Sequence, residues 1–196
     1  MATNIITTIL LWSSYLFLHS FLASESVKNH AHGLVSKKVY RLIYSIISIV
    51  TLLPIFLYLA STPSAFILDK SDLLKYFSLA LCTWGIIVTK QSFKHYSLGK
   101  FLGFKDENPD EDLVIDGLYR YVRHPLYSGM ILISLGFWLY IPNTLNLISI
   151  GVIYAYLVIA IPIEEKKLIK LFGKEYVDYK KTTPAVFPDL SRLTDR

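Results

Sequence analysis

Five long apolar runs, separated by polar and mostly basic stretches, dominate the pattern along this chain. A helix needs about 20 mostly apolar residues to cross a bilayer. The runs near this length are 4–23, 39–60, 73–90, 126–141 and 144–163, of which 73–90 is the least apolar. The pattern therefore predicts an all-α polytopic membrane protein with about five transmembrane helices. Pro54 predicts a kink in the second helix.

The connections between the runs predict how the helices are arranged. Only Pro142 and Asn143 separate the last two runs, so these helices are expected to form a tight antiparallel hairpin whose cytoplasmic ends lie side by side. The chain contains no internal repeat or low-complexity linker, which predicts one domain over 1–196. The first run lacks the basic flank and cleavage site of a signal peptide and is expected to remain as a helix.

Composition and charge placement support the membrane prediction. The chain is 53% apolar and only 18% charged, which is more apolar than an ordinary soluble domain. With five spans, all of the 20 Lys and Arg except Lys70 and Lys75 fall on one side. The positive-inside rule then predicts an outside N-terminus and a cytoplasmic C-terminus, with the bacterial inner membrane as the expected location. The net charge of +5 is thus assigned to the membrane face rather than to nucleic acid.

Two cytoplasmic segments, 91–125 and 164–188, are predicted to contribute to a cofactor site. In the first, aromatic residues alternate with lysines, which is typical of a segment that lies on lipid headgroups and helps to cover a pocket. The alternative is a solvated basic face with extended lysine side chains. His95 is a lone histidine in this segment and is not assigned a catalytic role.

The stretch "GLYRYVRHPLYSG" (117–129) precedes the fourth apolar run. Pro125 suits the first position of a helix, and His124 occupies the preceding cap position. The backbone N–H groups of residues 126–128 are expected to point out of the helix start and to form an anion site. Arg120 and Arg123 would add positive charge. The alternative is that these arginines only anchor the helix to lipid phosphates.

Glu164 and Glu165 stand together at the end of the fifth run. Ionisable groups at membrane depth are costly and tend to be functional. The alternative is an acidic start to the amphipathic tail helix that follows, in which Tyr176 and Tyr179 are assigned to packing. The predicted hairpin brings the glutamates to the stretch around His124. Such a pocket suits S-adenosyl-L-methionine, whose carboxylate, ammonium and sulfonium match these groups, although a nucleotide phosphate stays open.

These motifs carry a family resemblance. The stretch 117–129, the hairpin and "EE…LIKLFGKEYVDY…P" resemble the integral-membrane methyltransferases that include isoprenylcysteine carboxyl methyltransferase and the phospholipid N-methyltransferases. The likeness covers roughly 90–188. The N-terminal "LHSFLASESVK" and "YRLIYSIIS" are similar to the branch with the NnrU proteins and methanethiol S-methyltransferases.

The resemblance implies that S-adenosyl-L-methionine binds on the cytosolic side, held by the last two helices and the tail. The cofactor-binding residues that it implies are Leu113, Val114, Tyr119, His124, Pro125, Leu126, Tyr127 and one of Glu164 and Glu165. Arg123 and His124 are the candidate catalytic residues, because either could favour the thiolate of a thiol acceptor. Nothing in the sequence singles out a dedicated base.

The acceptor is expected to be a small thiol or a lipid group. The prenylcysteine enzymes resemble each other in an arginine shortly before the glutamates, whereas "VIAIPIEE" (158–165) contains no cation. The predicted function is methyl transfer at the cytosolic membrane face. The alternatives are an NADPH-dependent reductase of sterol-reductase type and a non-enzymatic NnrU-like accessory protein. No metal site is predicted, because His30 and His32 have no convincing partners. The oligomeric state is left open.

Overall fold

The computed structural model describes residues 1–94 and 112–189 of the chain. These residues form seven α-helices and one short 3-10 helix, Gly117–Arg120, without a regular strand. The α-helices are α1 (Ala2–Leu22), α2 (Glu25–Ala31), α3 (Lys37–Ser61), α4 (Asp72–Ser92), α5 (Pro125–Tyr140), α6 (Thr144–Phe172) and α7 (Lys174–Thr182). The all-α prediction is confirmed for this part of the chain.

Four of the helices, α1, α3, α4 and α6, are long and apolar enough to cross a membrane. The fourth predicted span, 126–141, corresponds to α5, which is apolar but has only 16 residues. At 1.5 Å per residue it is about 24 Å long, somewhat shorter than the roughly 30 Å hydrocarbon core of a bilayer. The prediction of a polytopic membrane protein is confirmed, with one span shorter than the others.

Serine residues begin three of these helices. Each serine hydroxyl accepts a hydrogen bond from the backbone N–H three residues later, which satisfies one of the unpaired donors of the first turn. The pairs are Ser24 with Val27, Ser36 with Val39, and Ser71 with Leu74. These caps explain why α2, α3 and α4 start where they do.

Helix α6 extends further than the sequence pattern predicts. The apolar pattern ends near 163, but the helix continues through Pro162 and the two glutamates to Phe172. It stops before Gly173, whose positive φ of 58° lets the chain turn into α7. The alternative that Glu164 starts a separate tail helix is therefore wrong, because both glutamates lie inside one continuous helix. Pro54 likewise lies within α3, which continues on both sides of it.

Residue contacts divide the chain into two compact units. The first contains Met1–Asp69 and Ile141–Ile153, and the second contains the described residues in 70–94, 112–140 and 154–189. In the first unit, α1 and α3 pack together, with the Trp12 ring edge-on to Phe56. The single domain over 1–196 stays a prediction.

Close backbone contact between α4 and α5 organises the second unit. A Cβ atom on Gly129 would lie 2.9 Å from the Gly85 carbonyl oxygen, and one on Gly136 would lie 2.8 Å from the Ser78 carbonyl oxygen. Only glycine allows these backbones to approach so closely, as is common between helices in membranes. This contact fixes the start of α5 relative to the end of α4.

The second unit also confirms the antiparallel hairpin. Along α5 and the last part of α6, Ser134 pairs with Tyr154 and Tyr127 pairs with Glu164. Residue numbers thus rise on one helix as they fall on the other. The start of α5 consequently lies beside the two glutamates, as the sequence predicts.

Candidate functional site

The site is built around the turn that starts α5. Pro125 is the first residue of the helix and is fully buried, which confirms its predicted position. The carbonyl of His124 accepts the first helical hydrogen bond from the Ser128 N–H, at 3.1 Å. The prediction that this N–H is free for an anion is therefore wrong, because the helix uses it internally.

The segment after α7, residues 183–186, lies against this turn. The Arg123 and His124 N–H groups donate to the carbonyls of Pro184 and Ala185, each at 2.9 Å. The Ser128 hydroxyl donates to the Val186 carbonyl at 2.6 Å. The chain's own tail therefore takes donors at the helix start that would otherwise be open to a ligand.

Glu165 lies at the centre of a buried ion cluster. Its side chain is 4% exposed, and one carboxylate oxygen accepts from Arg123 Nε at 2.8 Å and Nη2 at 2.5 Å. The other oxygen accepts from Lys180 Nζ at 2.5 Å. His124 Nε2 lies 3.4 Å from the carboxylate. A carboxylate at this depth requires such compensation, and two cations supply it.

Glu164 is in a different environment from its neighbour. Its side chain is 44% exposed, and it accepts one hydrogen bond from the Tyr127 hydroxyl at 2.7 Å. His124 Nδ1 lies 3.9 Å away. The His124 ring stacks on Tyr127 with centroids 5.5 Å apart. Glu164 therefore combines an accessible negative charge with a phenol donor and two aromatic rings.

Helix α7 contributes residues that the sequence reasoning did not assign to the site. Lys180 pairs with Glu165, and the Tyr179 hydroxyl donates to the Tyr119 carbonyl at 2.5 Å. Tyr176 is 1% exposed, and its hydroxyl has no hydrogen-bond partner among the described residues. Burial, followed by the negative charge of Glu165, raises the pKa of Tyr176 to about 12. The sequence signal for this face of α7 was the helical spacing of its residues: Tyr179 and Lys180 follow Tyr176 by three and four positions.

Direct polar contacts thus join Arg123, His124, Tyr127, Glu164 and Glu165, all of them predicted site residues. The other predicted site residues are located as follows. Leu113 and Val114 are half-buried residues of the segment before the 3-10 helix, Tyr119 lies in that helix with its hydroxyl on the Ser92 carbonyl, and Leu126 is half-buried in the first turn of α5. His95 and residues 95–111 of the predicted segment 91–125 lie outside the described residues.

The arrangement favours a ligand with a positive charge. The carboxylate of Glu164 is 44% exposed and accepts from the neutral Tyr127 hydroxyl, whereas Arg123 and the equally exposed Lys180 are paired with Glu165. Arg120, which the sequence places near the anion site, instead pairs with Asp116 at 2.9 Å. A cationic group could bind at Glu164 without displacing an existing ion pair.

Comparison with known proteins gives a family match. Residues 74–175, more than half of the chain, match the family model described as phospholipid methyltransferase. The chain is 34% identical to the Protein-S-isoprenylcysteine O-methyltransferase of Schizosaccharomyces pombe, across 50% of this chain and 39% of that protein. It is 26% identical to Methanethiol S-methyltransferase 1 of Bradyrhizobium diazoefficiens, across 95% of this chain and 68% of that protein.

A third relative matches a shorter stretch. The chain is 36% identical to the Methanethiol S-methyltransferase of Crocosphaera subtropica over 38% of its own length and 28% of that protein. The matches to the Schizosaccharomyces and Crocosphaera proteins therefore span well under half of those relatives, whereas the Bradyrhizobium match extends over nearly the whole of this chain.

Proposed function

The chain belongs to the phospholipid methyltransferase family, and from that premise we propose that it transfers a methyl group from S-adenosyl-L-methionine to a small thiol or a lipid group. The observation that carries this proposal is the accessible carboxylate of Glu164, held by the Tyr127 hydroxyl beside the stacked His124 ring. The donor supplies an electrophilic methyl group on a sulfonium ion. The positively charged ammonium and sulfonium groups of the donor are complementary to the negative charge of Glu164.

The chemistry of the side chains fits this donor. Glu164 would hold the ammonium group or the ribose hydroxyls, since a carboxylate accepts hydrogen bonds from either. The rings of Tyr127 and His124 would face the sulfonium, because aromatic faces attract cations. Of the two glutamates, Glu164 is the proposed ligand contact: it is 44% exposed, whereas Glu165 is 4% exposed and already holds two cations.

The acceptor is proposed to lack a carboxylate. Arg123 and Lys180, which contact the glutamates in the folded chain, are committed to Glu165, and residues 158–163 contain no cation. A carboxylate acceptor would meet the negative charge of Glu164 without a new cation. The relatives named for methanethiol support a small thiol, and a lipid group reached from the bilayer is the second acceptor class.

His124 is the proposed group for activating a thiol. The thiolate is the nucleophile, so a thiol acceptor must release its proton near the site. Arg123 is bound to Glu165 and to tail carbonyls, which leaves the imidazole of His124 as the nearest proton acceptor beside Glu164. We place this site at the cytosolic face of the bacterial inner membrane, with the N-terminus outside, because the lysines and arginines predict that orientation.

Methyl transfer can be tested directly with purified protein in lipid nanodiscs and donor labelled on its methyl group. The acceptor panel contains a short alkyl thiol, phosphatidylethanolamine and a farnesylated cysteine with a free carboxylate. We expect label on the thiol or the lipid amine and not on the farnesylcysteine, and loss of that label in Y127A. Labelling of the farnesylcysteine alone would overturn the acceptor class. Oxidation of NADPH without any labelling would support the reductase alternative.

A further inference from the structure

Arg123 contacts three separate elements at once. Its guanidinium binds Glu165 on α6, and its Nη1 donates to the carbonyls of Lys180, at 3.2 Å, and Thr183. Its backbone N–H donates to the Pro184 carbonyl. The residue before the His-Pro turn therefore ties the start of α5 to α6, to the end of α7 and to the segment that follows.

Lys180 closes the same set of contacts into a ring. Its ammonium group donates to Glu165, while its own carbonyl accepts from Arg123. Each of the three residues thus contacts both of the others. The Arg123 side chain is 9% exposed, the Glu165 side chain is 4% exposed and the Lys180 side chain is 44% exposed. The ring is anchored at its buried end and open to solvent at Lys180.

The segment 183–186 depends on these donors for its position. Its carbonyls accept from Arg123, His124 and Ser128, and Pro184 has no backbone N–H to donate. Backbone carbonyls give little sequence specificity. The geometry of the donors therefore decides where the segment lies, and Arg123 supplies two of them.

We propose that Arg123, Glu165 and Lys180 form a latch that holds residues 183–186 against the start of α5, and that these three are positioning residues rather than groups that touch the transferred methyl. The latch orients His124 and Tyr127, which lie on the turn that it holds. Its effect on cofactor affinity rests on the proposed function, whereas the docking of residues 183–186 does not. A guanidinium is needed because a lysine offers one point charge and cannot also reach the tail carbonyls in a fixed fork.

Hydrogen exchange in the protein without ligand tests the latch. The reporters are the Arg123 and His124 amides, whose acceptors are the tail carbonyls. K180Q and R123K are each expected to speed exchange of these amides roughly tenfold or more, the value of a charged hydrogen bond. K180R should restore protection. K181Q is the matched control, because Lys181 pairs with exposed Asp178 on the same helix.

The ligand readout separates a positioning role from a direct contact. With the latch open, K180Q should raise the donor KM several-fold with little change in kcat, and K180R should return it. If K180Q and R123K both exchange these amides at the wild-type rate, the latch is overturned whatever the ligand. If exchange rises but no adenosyl ligand binds the wild type, the latch stands and the proposed function fails. Because Lys180 is half-exposed, K180Q keeps the test informative even if an Arg123 variant does not fold.

Discussion

Glu164 and Glu165 are adjacent in the sequence, but their side chains lie in different environments. Glu165 faces inward to Arg123 and Lys180, whereas Glu164 is half-exposed beside Tyr127. Neighbouring positions on a helix point about 100° apart, so one can be structural while the other faces a ligand. The sequence could place the pair at the site but could not divide these roles, because the division depends on which way α6 is rotated.

Neutral substitutions at the two positions should therefore affect different properties. E165Q should lower stability, and E164Q should weaken ligand binding. E165Q removes the charge that compensates two cations, and breaking a buried pair in this way costs about 3–5 kcal/mol. E164Q should leave stability within about 0.5 kcal/mol of the wild type, as for other exposed positions, and should lose the adenosyl ligand. Thermal unfolding in one detergent compares them. A stable E165Q alongside an unstable E164Q would contradict the assignment.

The raised pKa of Tyr176 predicts part of the loss of folding stability at alkaline pH. Its pKa is raised from 10.0 to about 12 in the folded protein, so the unfolded chain releases this proton first as the pH rises. Its contribution to stability is complete below pH 10 and is lost between pH 10 and about 12. Y176F should lose less stability over that window than the wild type does, measured by chemical unfolding at each pH. Parallel declines in the two proteins would refute this.

At the scale of elements, the hydrophobic pattern predicted the helices well and one boundary poorly. Five apolar runs correspond to α1, α3, α4, α5 and the start of α6. The pattern ends where charged residues begin, but the helix continues to Phe172 because nothing breaks it before Gly173. The short helix α2 was missed, since seven residues carry too little periodicity. Tyr176 and Tyr179 on α7 were assigned to packing because of their helical spacing, which does not reveal that Tyr179 donates to Tyr119 in the 3-10 helix.

The α4–α5 contact predicts a position-specific glycine requirement. A Cβ on Gly129 would lie 2.9 Å from the Gly85 carbonyl and would also overlap Thr89 Oγ1, so G129A should cost about 1–3 kcal/mol through overpacking. The matched control is G151A, since a Cβ there meets nothing within 4 Å and alanine favours helix. Thermal unfolding of both variants in the same detergent measures the difference. Equal stability of the two would show that the close approach is not required.

At the scale of the whole molecule, charge predicts orientation. All lysines and arginines except Lys70 and Lys75 fall on one side of the predicted spans. In a C82S background, a cysteine at Thr3 should react with an impermeant maleimide on intact cells, and one at Asp189 only after permeabilisation. The reverse labelling would invert the topology and move the proposed site to the outer face.

The main residues of the candidate site could be predicted from the sequence. The His-Pro turn and the glutamates meet because a short link forces the last two helices to be antiparallel. The occupation of the turn by residues 183–186 was not predictable, since backbone carbonyls leave no signature in the sequence. The expected anion site of free N–H groups was too large, because the Ser128 N–H donates to the His124 carbonyl within the helix. Glu164 supplies the charge on which ligand binding is proposed to depend.

The most direct test of the central claim is a calorimetric titration of S-adenosylhomocysteine into the detergent-purified protein. Wild type, Y127F, E164Q and the control K181Q would be compared. We predict binding by wild type and K181Q, and a loss of at least about tenfold in affinity for Y127F and E164Q, the value of a hydrogen bond to a charged group. Absence of binding by folded wild type, or undiminished binding by E164Q, would contradict it.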